Sequence, residues 1–322
     1  MDIQQLYNLV AEEREAVDAI IRQRLHSDVM LINQVSEYII NSGGKRLRPI
    51  LVLLSAGAFG YQGRHHHELA AVVEFIHTAT LLHDDVVDDS EMRRGKETAN
   101  NVWGNAASVL VGDFLYSRAF QMMVGVQNMQ VMEIISEATN IIAEGEVMQL
   151  LNVHNADLDE AGYLEVIRYK TAKLFESAAQ LGAVITNRTP EEEMAMARYG
   201  MHLGTAFQLV DDVLDYSASS NELGKNIGDD LAEGKPTLPL IYAINHGSPE
   251  QAAMVRNAVE QGGIDRIEEI RQAIESVGAI AYTARSAREE ADRAIAALSV
   301  IEDSPYKEAL ITLANYSVDR SF

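Results

Sequence analysis

Aspartates 84 and 88, in His83-Asp84-Asp85-Val86-Val87-Asp88-Asp89, stand four residues apart at the end of a helix-periodic stretch that begins near Glu68. On a helix that spacing puts both carboxylates on one face, about 6 Å apart along the axis. Two carboxylates so held repel each other unless a cation joins them. A pair of hard oxygen ligands suits magnesium, which shares its shell with substrate phosphates. The plainer reading, a charged helix end on an acidic surface, accounts for one such motif equally well. It accounts for two less well. Gln208-Leu209-Val210-Asp211-Asp212-Val213-Leu214-Asp215 repeats the pattern, with Asp211 and Asp215 four apart and Gly204 and Gln208 on the Asp211 face. Two such helices packed side by side predict opposed carboxylate clusters, a cage for several magnesium ions and a diphosphate.

The cations fit an anionic substrate. Gly43-Gly44-Lys45-Arg46-Leu47-Arg48-Pro49 sets Lys45 and Arg48 three apart where glycines lead into a helix. Backbone amides and two cations at a helix start make an anion site. A merely basic loop is the alternative, but basic residues oppose the helix dipole there, which favours function. Arg93-Arg94-Gly95 follows the first aspartate motif, and Lys170-Thr171 sits in a helical stretch over Tyr163–Thr186. Lys225 and Lys235 lie in Gly224-Lys225-Asn226 and Gly234-Lys235-Pro236-Thr237.

Helices must position these groups. Apolar residues recur at three and four, as in Leu6, Leu9, Val10, Val17, Ile20 and Ile21, which is the helical period. None of the six prolines falls between Pro49 and Pro190, so long helices are expected. Thr189-Pro190-Glu191-Glu192, Ser248-Pro249-Glu250-Gln251 and the weaker Ser304-Pro305 read as capped helix starts. Ile264–Ile301 alternates charges, Glu289 with Arg293 for example, as a solvated outer helix does. Strand signals are scarce, and no linker or repeat divides the chain. The expectation is one all-α domain over 1–322, a large helical bundle around a central cavity.

Composition excludes several classes. With 26 basic and 48 acidic residues in 322, the net charge is −22, which opposes nucleic-acid binding. The absence of cysteine removes disulfides, thiolate nucleophiles and cysteine-based metal sites. No apolar run is long enough to span a bilayer. The start, Met1-Asp2-Ile3-Gln4-Gln5, is unlike a signal peptide, so a cytoplasmic protein is expected. His65-His66-His67 reads as a solvated helix start, and Met122, Met123, Met129 and Met132 as core filler.

Together the two Asp-Asp-x-x-Asp motifs, Gly-Gly-Lys-x-x-Arg-Pro, Arg-Arg-Gly, Lys-Thr and Gly-Lys-Pro-Thr resemble the trans-isoprenyl diphosphate synthase (polyprenyl synthetase) family. The match runs from about Gly43 to Leu240 in family order, and it is nearest to the long-chain bacterial members. The resemblance implies a homodimeric, magnesium-dependent prenyltransferase with the isoprenoid synthase fold, three ions accompanying the bound diphosphate. It would add isopentenyl diphosphate to an allylic prenyl diphosphate such as farnesyl diphosphate, making a chain of eight isoprene units for a quinone such as ubiquinone. Asp84, Asp88, Asp211 and Asp215 are then the metal ligands. Lys45, Arg48, His77 and Arg94 resemble the isopentenyl diphosphate pocket; Arg93, Lys170, Thr171, Gln208, Lys225 and Lys235 resemble the allylic diphosphate side. Asp85, Asp89 and Asp212 read as supporting or surface acids. Ala79 and Thr80 stand at the family's chain-length position, where short-chain relatives carry a bulky aromatic. Other readings are a shorter-chain geranylgeranyl synthase, a class I terpene cyclase and a silent partner subunit. A cyclase has no use for Lys45 and Arg48, and silent subunits generally lack the aspartate motifs.

Overall fold

The computed structural model describes residues 1–217 and 228–319. Lys225 lies outside the described residues. The described chain is all-α, apart from a two-stranded hairpin of Met92–Arg93 paired with Lys96–Glu97. Contacts group the chain into two compact units. The first is built from Met1–Thr139, Leu174–Arg198 and Ala297–Leu313, the second from Asn140–Lys173, Tyr199–Ala296 and Ala314–Phe322. Among the described residues no helix is long and apolar enough to cross a membrane.

The first unit is organised by the helix His65–Val87, which packs on Asn105–Val126, Leu47–Ala58 and Ala11–Leu25. Its residues Leu69, Ala70, Ala71, Val72, Val73, Phe75, Ile76, Ala79 and Leu82 are all buried. Apolar residues on every face mark a helix enclosed by others. Ile50–Leu54, an apolar run of strand length, is helical within Leu47–Ala58. In the second unit the end of the helix Pro190–Ser217 packs Ala206, Leu209 and Val210 with Tyr163, Leu238, Ile241, Ala287 and Ala291. A further cluster joins Tyr216, Leu231, Leu240, Val255, Val259, Ile270 and Ile274.

The capped proline starts form as expected. Glu192 N donates to Thr189 Oγ1 (3.3 Å) while its carboxylate accepts from Thr189 N (3.1 Å). Ser248 and Gln251 form a reciprocal box, and Lys307 N donates to Ser304 Oγ. Three local expectations are corrected. The Tyr163–Thr186 stretch is interrupted: Glu160–Ile167 passes through a π-helical turn, Arg168–Ala172, into Lys173–Ile185. The Ile264–Ile301 stretch divides into Ile267–Ser276 and Ala279–Ala297 at Gly278, whose φ of 74° ends the first helix. It is not wholly solvated either, because Glu290 is buried and accepts from His202 (2.5 Å) and Arg293 (2.6 Å). Met122 and Met123 are core residues, but Met129 is exposed.

The helix that begins with the basic loop is seated against a glycine. A Cβ on Gly182 would lie 2.5 Å from Ser55 Cβ and would also strike Ser55 Oγ and the Ala56 amide. Ser55 Oγ donates to the Ala179 carbonyl at the same crossing. Alanine gains about 1 kcal/mol over glycine in a free helix. Overpacking costs about 1–3 kcal/mol, and here the obstacle includes backbone, so overpacking wins. Gly182→Ala should therefore lower the Tm by about 2–8 °C in differential scanning calorimetry. A Tm equal to or above that of the parent would show that this helix contact is loose.

Candidate active site

In the first unit Asp84 lies in the last turn of His65–Val87 and Asp88 caps it. Carboxylates at this end oppose the helix dipole, a cost that a bound cation would remove. Asp85 points elsewhere. It is fully buried and accepts at Oδ1 from Arg93 Nε (2.7 Å), with Arg93 Nη2 in ion-pair contact at the same oxygen (2.7 Å). Burial pushes its carboxyl up and the Arg93 guanidinium opposes that shift. Asp85 is thus the buried anchor of Arg93, whereas Asp89 is exposed.

Arg93 and Arg94 belong to the short hairpin. Its two-residue turn is Arg94-Gly95, with φ of 53° and 73°. Positive φ at both centres is what a tight type I′ hairpin requires, and glycine adopts it freely. From this turn Arg94 Nη1 donates to the Gly43 carbonyl. The guanidinium lies flat on Gly44, where a Cβ would stand 2.6 Å from Nη1. The two basic motifs are therefore one structure, in which the glycine pair makes room for the arginine.

Arg48 is held between two rings. Its Nη1 lies 3.1 Å from His77 Nε2, and its guanidinium carbon stands 4.4 Å above the Phe175 ring. Burial, then the charges of Arg48, Arg94 and Arg93, hold the His77 imidazole well below its ordinary value. The ring is neutral at pH 7, and since a guanidinium only donates, Nε2 accepts. Lys45 is exposed beside them. The structure thus gathers Arg48, His77 and Arg94, with the Lys45 loop at their edge, and it brings Arg93, assigned from sequence to the allylic side, close to the same group. Ala79 is fully buried, and Thr80 Oγ1 donates to the His77 carbonyl.

In the second unit the middle aspartate also turns inward. Asp212 is fully buried and accepts from the Tyr163 hydroxyl and from Gln208 Nε2 (3.0 Å). Thr171 Oγ1 donates in turn to Gln208 Oε1 (3.4 Å). Burial, then the charge of Asp230, pushes Asp212 up to about 8, against the Tyr163 and Gln208 bonds. The same burial raises the Tyr163 hydroxyl well above its usual range. Gln208 and Thr171 are thereby fixed in orientation, while Asp211 and Asp215 are half-buried.

Lys170 and Thr171 sit on the π-helical turn, a distortion frequent at functional sites. Lys170 Nζ stands 2.6 Å from Glu146 Oε2. Beside it, a Cβ on Gly145 would come within 2.5 Å of the Lys170 amide nitrogen. Lys235 Nζ is 2.5 Å from Glu233 Oε2. Its loop is held by His154, whose amide donates to the Gly234 carbonyl and whose ring covers the glycine. Sequence reasoning missed Glu74, Glu146, Tyr163 and His154. Glu74 lies on the helix already singled out for Asp84, and Glu146 on the helix Met129–Asn152, but only contacts between elements mark them.

Each motif supplies a pair of carboxylates, and among the described residues no three His, Asp or Glu side chains converge as a metal site. One or two carboxylates with substrate phosphate oxygens are a usual magnesium set, so the donors fit that ion. The histidine run does not. His66 is buried against Tyr61 and His67, and burial pushes it down to about 4, so the run is a packed helix start with only its first member exposed.

Comparison with known proteins identifies the family. The chain is 56% identical over 321 residues to octaprenyl diphosphate synthase of Escherichia coli (strain K12), covering 99% of each chain. It is 50% identical over 323 residues to octaprenyl diphosphate synthase of Haemophilus influenzae, covering 100% of this chain and 98% of that one. A polyprenyl synthase of Caulobacter crescentus CB15, crystallised with calcium and isoprenyl diphosphate, superposes with a TM-score of 0.95. That match has 44% identity and covers 99% of this chain and 98% of the other. The fold is the all-α fold of the isoprenyl synthases. The model of the polyprenyl synthetase family matches residues 29–277, and the chain belongs to that family.

Proposed function

We propose that this prenyltransferase makes a long all-trans polyprenyl diphosphate, an octaprenyl chain, by adding isopentenyl diphosphate to an allylic diphosphate such as farnesyl diphosphate. The observation that carries the reading is the occurrence of both aspartate motifs and the basic motifs in a chain 56% identical, over 99% of its length, to an octaprenyl diphosphate synthase. The family match takes residues from both compact units, which supports a single catalytic domain over 1–322. We assign the product to quinone side-chain synthesis in the cytoplasm and the protein to a homodimer.

Asp84, Asp88, Asp211 and Asp215 are the residues that would hold magnesium, three ions by the family resemblance when diphosphate is bound. When bound, magnesium neutralises charge on the departing diphosphate. Lys170 and Lys235, with Arg93, take up the same charge through donors already oriented by Glu146, Glu233 and Asp85, and Lys225 is assigned to the same side. Such preorganisation is where enzymes gain most. Breaking the allylic carbon–oxygen bond leaves a carbocation, towards which Thr171 and Gln208 turn oxygen dipoles. Lys45, Arg48, His77 and Arg94 hold isopentenyl diphosphate so that its double bond attacks. A new carbon–carbon bond forms, and loss of a proton to the released diphosphate restores the double bond.

Three measurements test these roles. Asp84→Asn and Asp211→Asn should each lower kcat by about a hundredfold or more at saturating magnesium, with the Tm little changed. Near-normal turnover in either variant would remove that aspartate from the metal set. Lys45→Ala and Arg48→Ala should raise the KM for isopentenyl diphosphate about tenfold, for loss of a charge-assisted bond, and leave the allylic KM nearly unchanged. Lys235→Ala should show the reverse bias, and equal effects on both constants would break the division into two pockets. Ala79→Tyr should shorten the product to three or four isoprene units, read by chromatography beside a thermal melt. A stable Ala79→Tyr protein that still makes full-length chains would show that Ala79 sets only helix packing.

A further inference from the structure

We propose that Glu74, a buried acid at the heart of the basic cluster, is the positioning residue of the isopentenyl diphosphate pocket. It stands one turn before His77 on the helix His65–Val87, and its side chain is only 12% exposed. It pairs with Arg46, whose Nε lies 3.9 Å from Glu74 Oε1. The charges of Arg48 and Arg94 act on it as well, and Asp18, which pairs with Arg46 on the other side, is the opposing acid. One carboxylate thus lies within the fields of three guanidinium groups from two separate motifs. Burial pushes the Glu74 carboxyl up, and those three cations oppose the shift.

Arg46 itself is a middle residue of Gly-Gly-Lys-x-x-Arg that the sequence leaves without a role. It caps the helix Leu47–Ala58 in the left-handed region, at φ 47°. From there its side chain is held by Asp18 and Glu74. That pairing fixes the junction between Lys45, which precedes it, and Arg48, which follows it by two residues. Arg94 is tied to the same loop through the Gly43 carbonyl. The neutral His77 adds no compensating charge, so before substrate arrives Glu74 and Asp18 supply the counter-charge that lets these arginines stand together.

The sign of the effect separates positioning from simple electrostatics. An acid inside an anion pocket repels the anion by Coulomb's law. If attraction alone mattered, removing Glu74 would tighten binding. If Glu74 sets the geometry of the cations, removing it loosens binding despite the added positive charge. The second outcome is the one the arrangement favours, because Glu74 touches the cluster through the helix cap that carries Lys45 and Arg48.

The inference rests on the pocket reading above, and the test keeps the two apart. With full-length protein, magnesium and saturating farnesyl diphosphate, Glu74→Gln should raise the KM for isopentenyl diphosphate about tenfold. The farnesyl diphosphate KM should stay within about twofold, and Glu74→Asp should recover part of the loss. Arg46→Lys, which keeps the charge but loses the guanidinium contacts, should raise the same KM and serves if Glu74→Gln does not fold. An unchanged or lower KM for isopentenyl diphosphate in these variants would overturn the positioning role, as would an equal rise in both constants. Arg48→Ala is the control. If it raises the isopentenyl diphosphate KM selectively while Glu74→Gln does not, only the positioning role falls. If Arg48→Ala has no selective effect, the pocket reading falls and the inference with it.

Discussion

An α-helix turns about 100° per residue, so residues one apart face different surroundings while residues four apart share a face. That rotation divides the work within each Asp-Asp-x-x-Asp motif. Asp84 with Asp88, and Asp211 with Asp215, share a face and remain half-buried. The residue next to the first of each pair is rotated into the protein. There Asp85 binds Arg93, and Asp212 binds Tyr163 and Gln208. The same motif therefore supplies a candidate ligand face and an internal anchor. The anchored partners, Arg93 and Gln208, are themselves candidate substrate contacts, so in each motif the middle aspartate links the candidate metal ligands to a candidate substrate contact.

Placing cations is the complementary problem. In a chain of net charge −22, any long basic side chain has many carboxylates to fold towards. The structure gives the candidate cations defined partners instead. Arg93 has Asp85, Lys170 has Glu146, Lys235 has Glu233, and Arg46 has Asp18 and Glu74. Arg48 lies between His77 and Phe175, where the ring face attracts the guanidinium without neutralising it. Holding donors in place before the anion arrives lowers the reorganisation needed when charge develops on a leaving diphosphate.

Much of this was legible in the sequence, because its signals are local. The capping residues Thr189, Ser248 and Ser304, the apolar period and the i, i+4 aspartates need only neighbouring residues to be read. What was not legible depends on contacts between distant elements. The π-helical turn at Arg168–Ala172 accompanies the close approach of Gly145, which no local pattern announces. His66 looked solvated because its neighbours are polar, yet Tyr61 folds over it. Glu74 sits in an apolar helix like any surface acid until Arg46, Arg48 and Arg94 are brought round it. Asp85 and Asp212 were read as supporting or surface acids, and only burial decides between those descriptions.

Glycines finish the placement of the functional helices. Gly182 lets Lys173–Ile185 approach the backbone of Leu47–Ala58, which begins at the Lys45 loop. Gly112 on Asn105–Val126 faces the His83 ring and the Ala79 carbonyl, where a Cβ would stand 3.3 Å from the oxygen. Gly145 does the same for the Lys170 turn. In each case backbone is among the atoms that an added side chain would meet, and backbone cannot rotate away as a side chain can, so the close approach of the two elements depends on glycine. The His83–Gly112 contact lies one residue before Asp84, and the Gly145 contact lies on Lys170 itself. Rigid seating of this kind is what a constellation of carboxylates and cations requires, since charges held on loose helices would spend their attraction on ordering themselves.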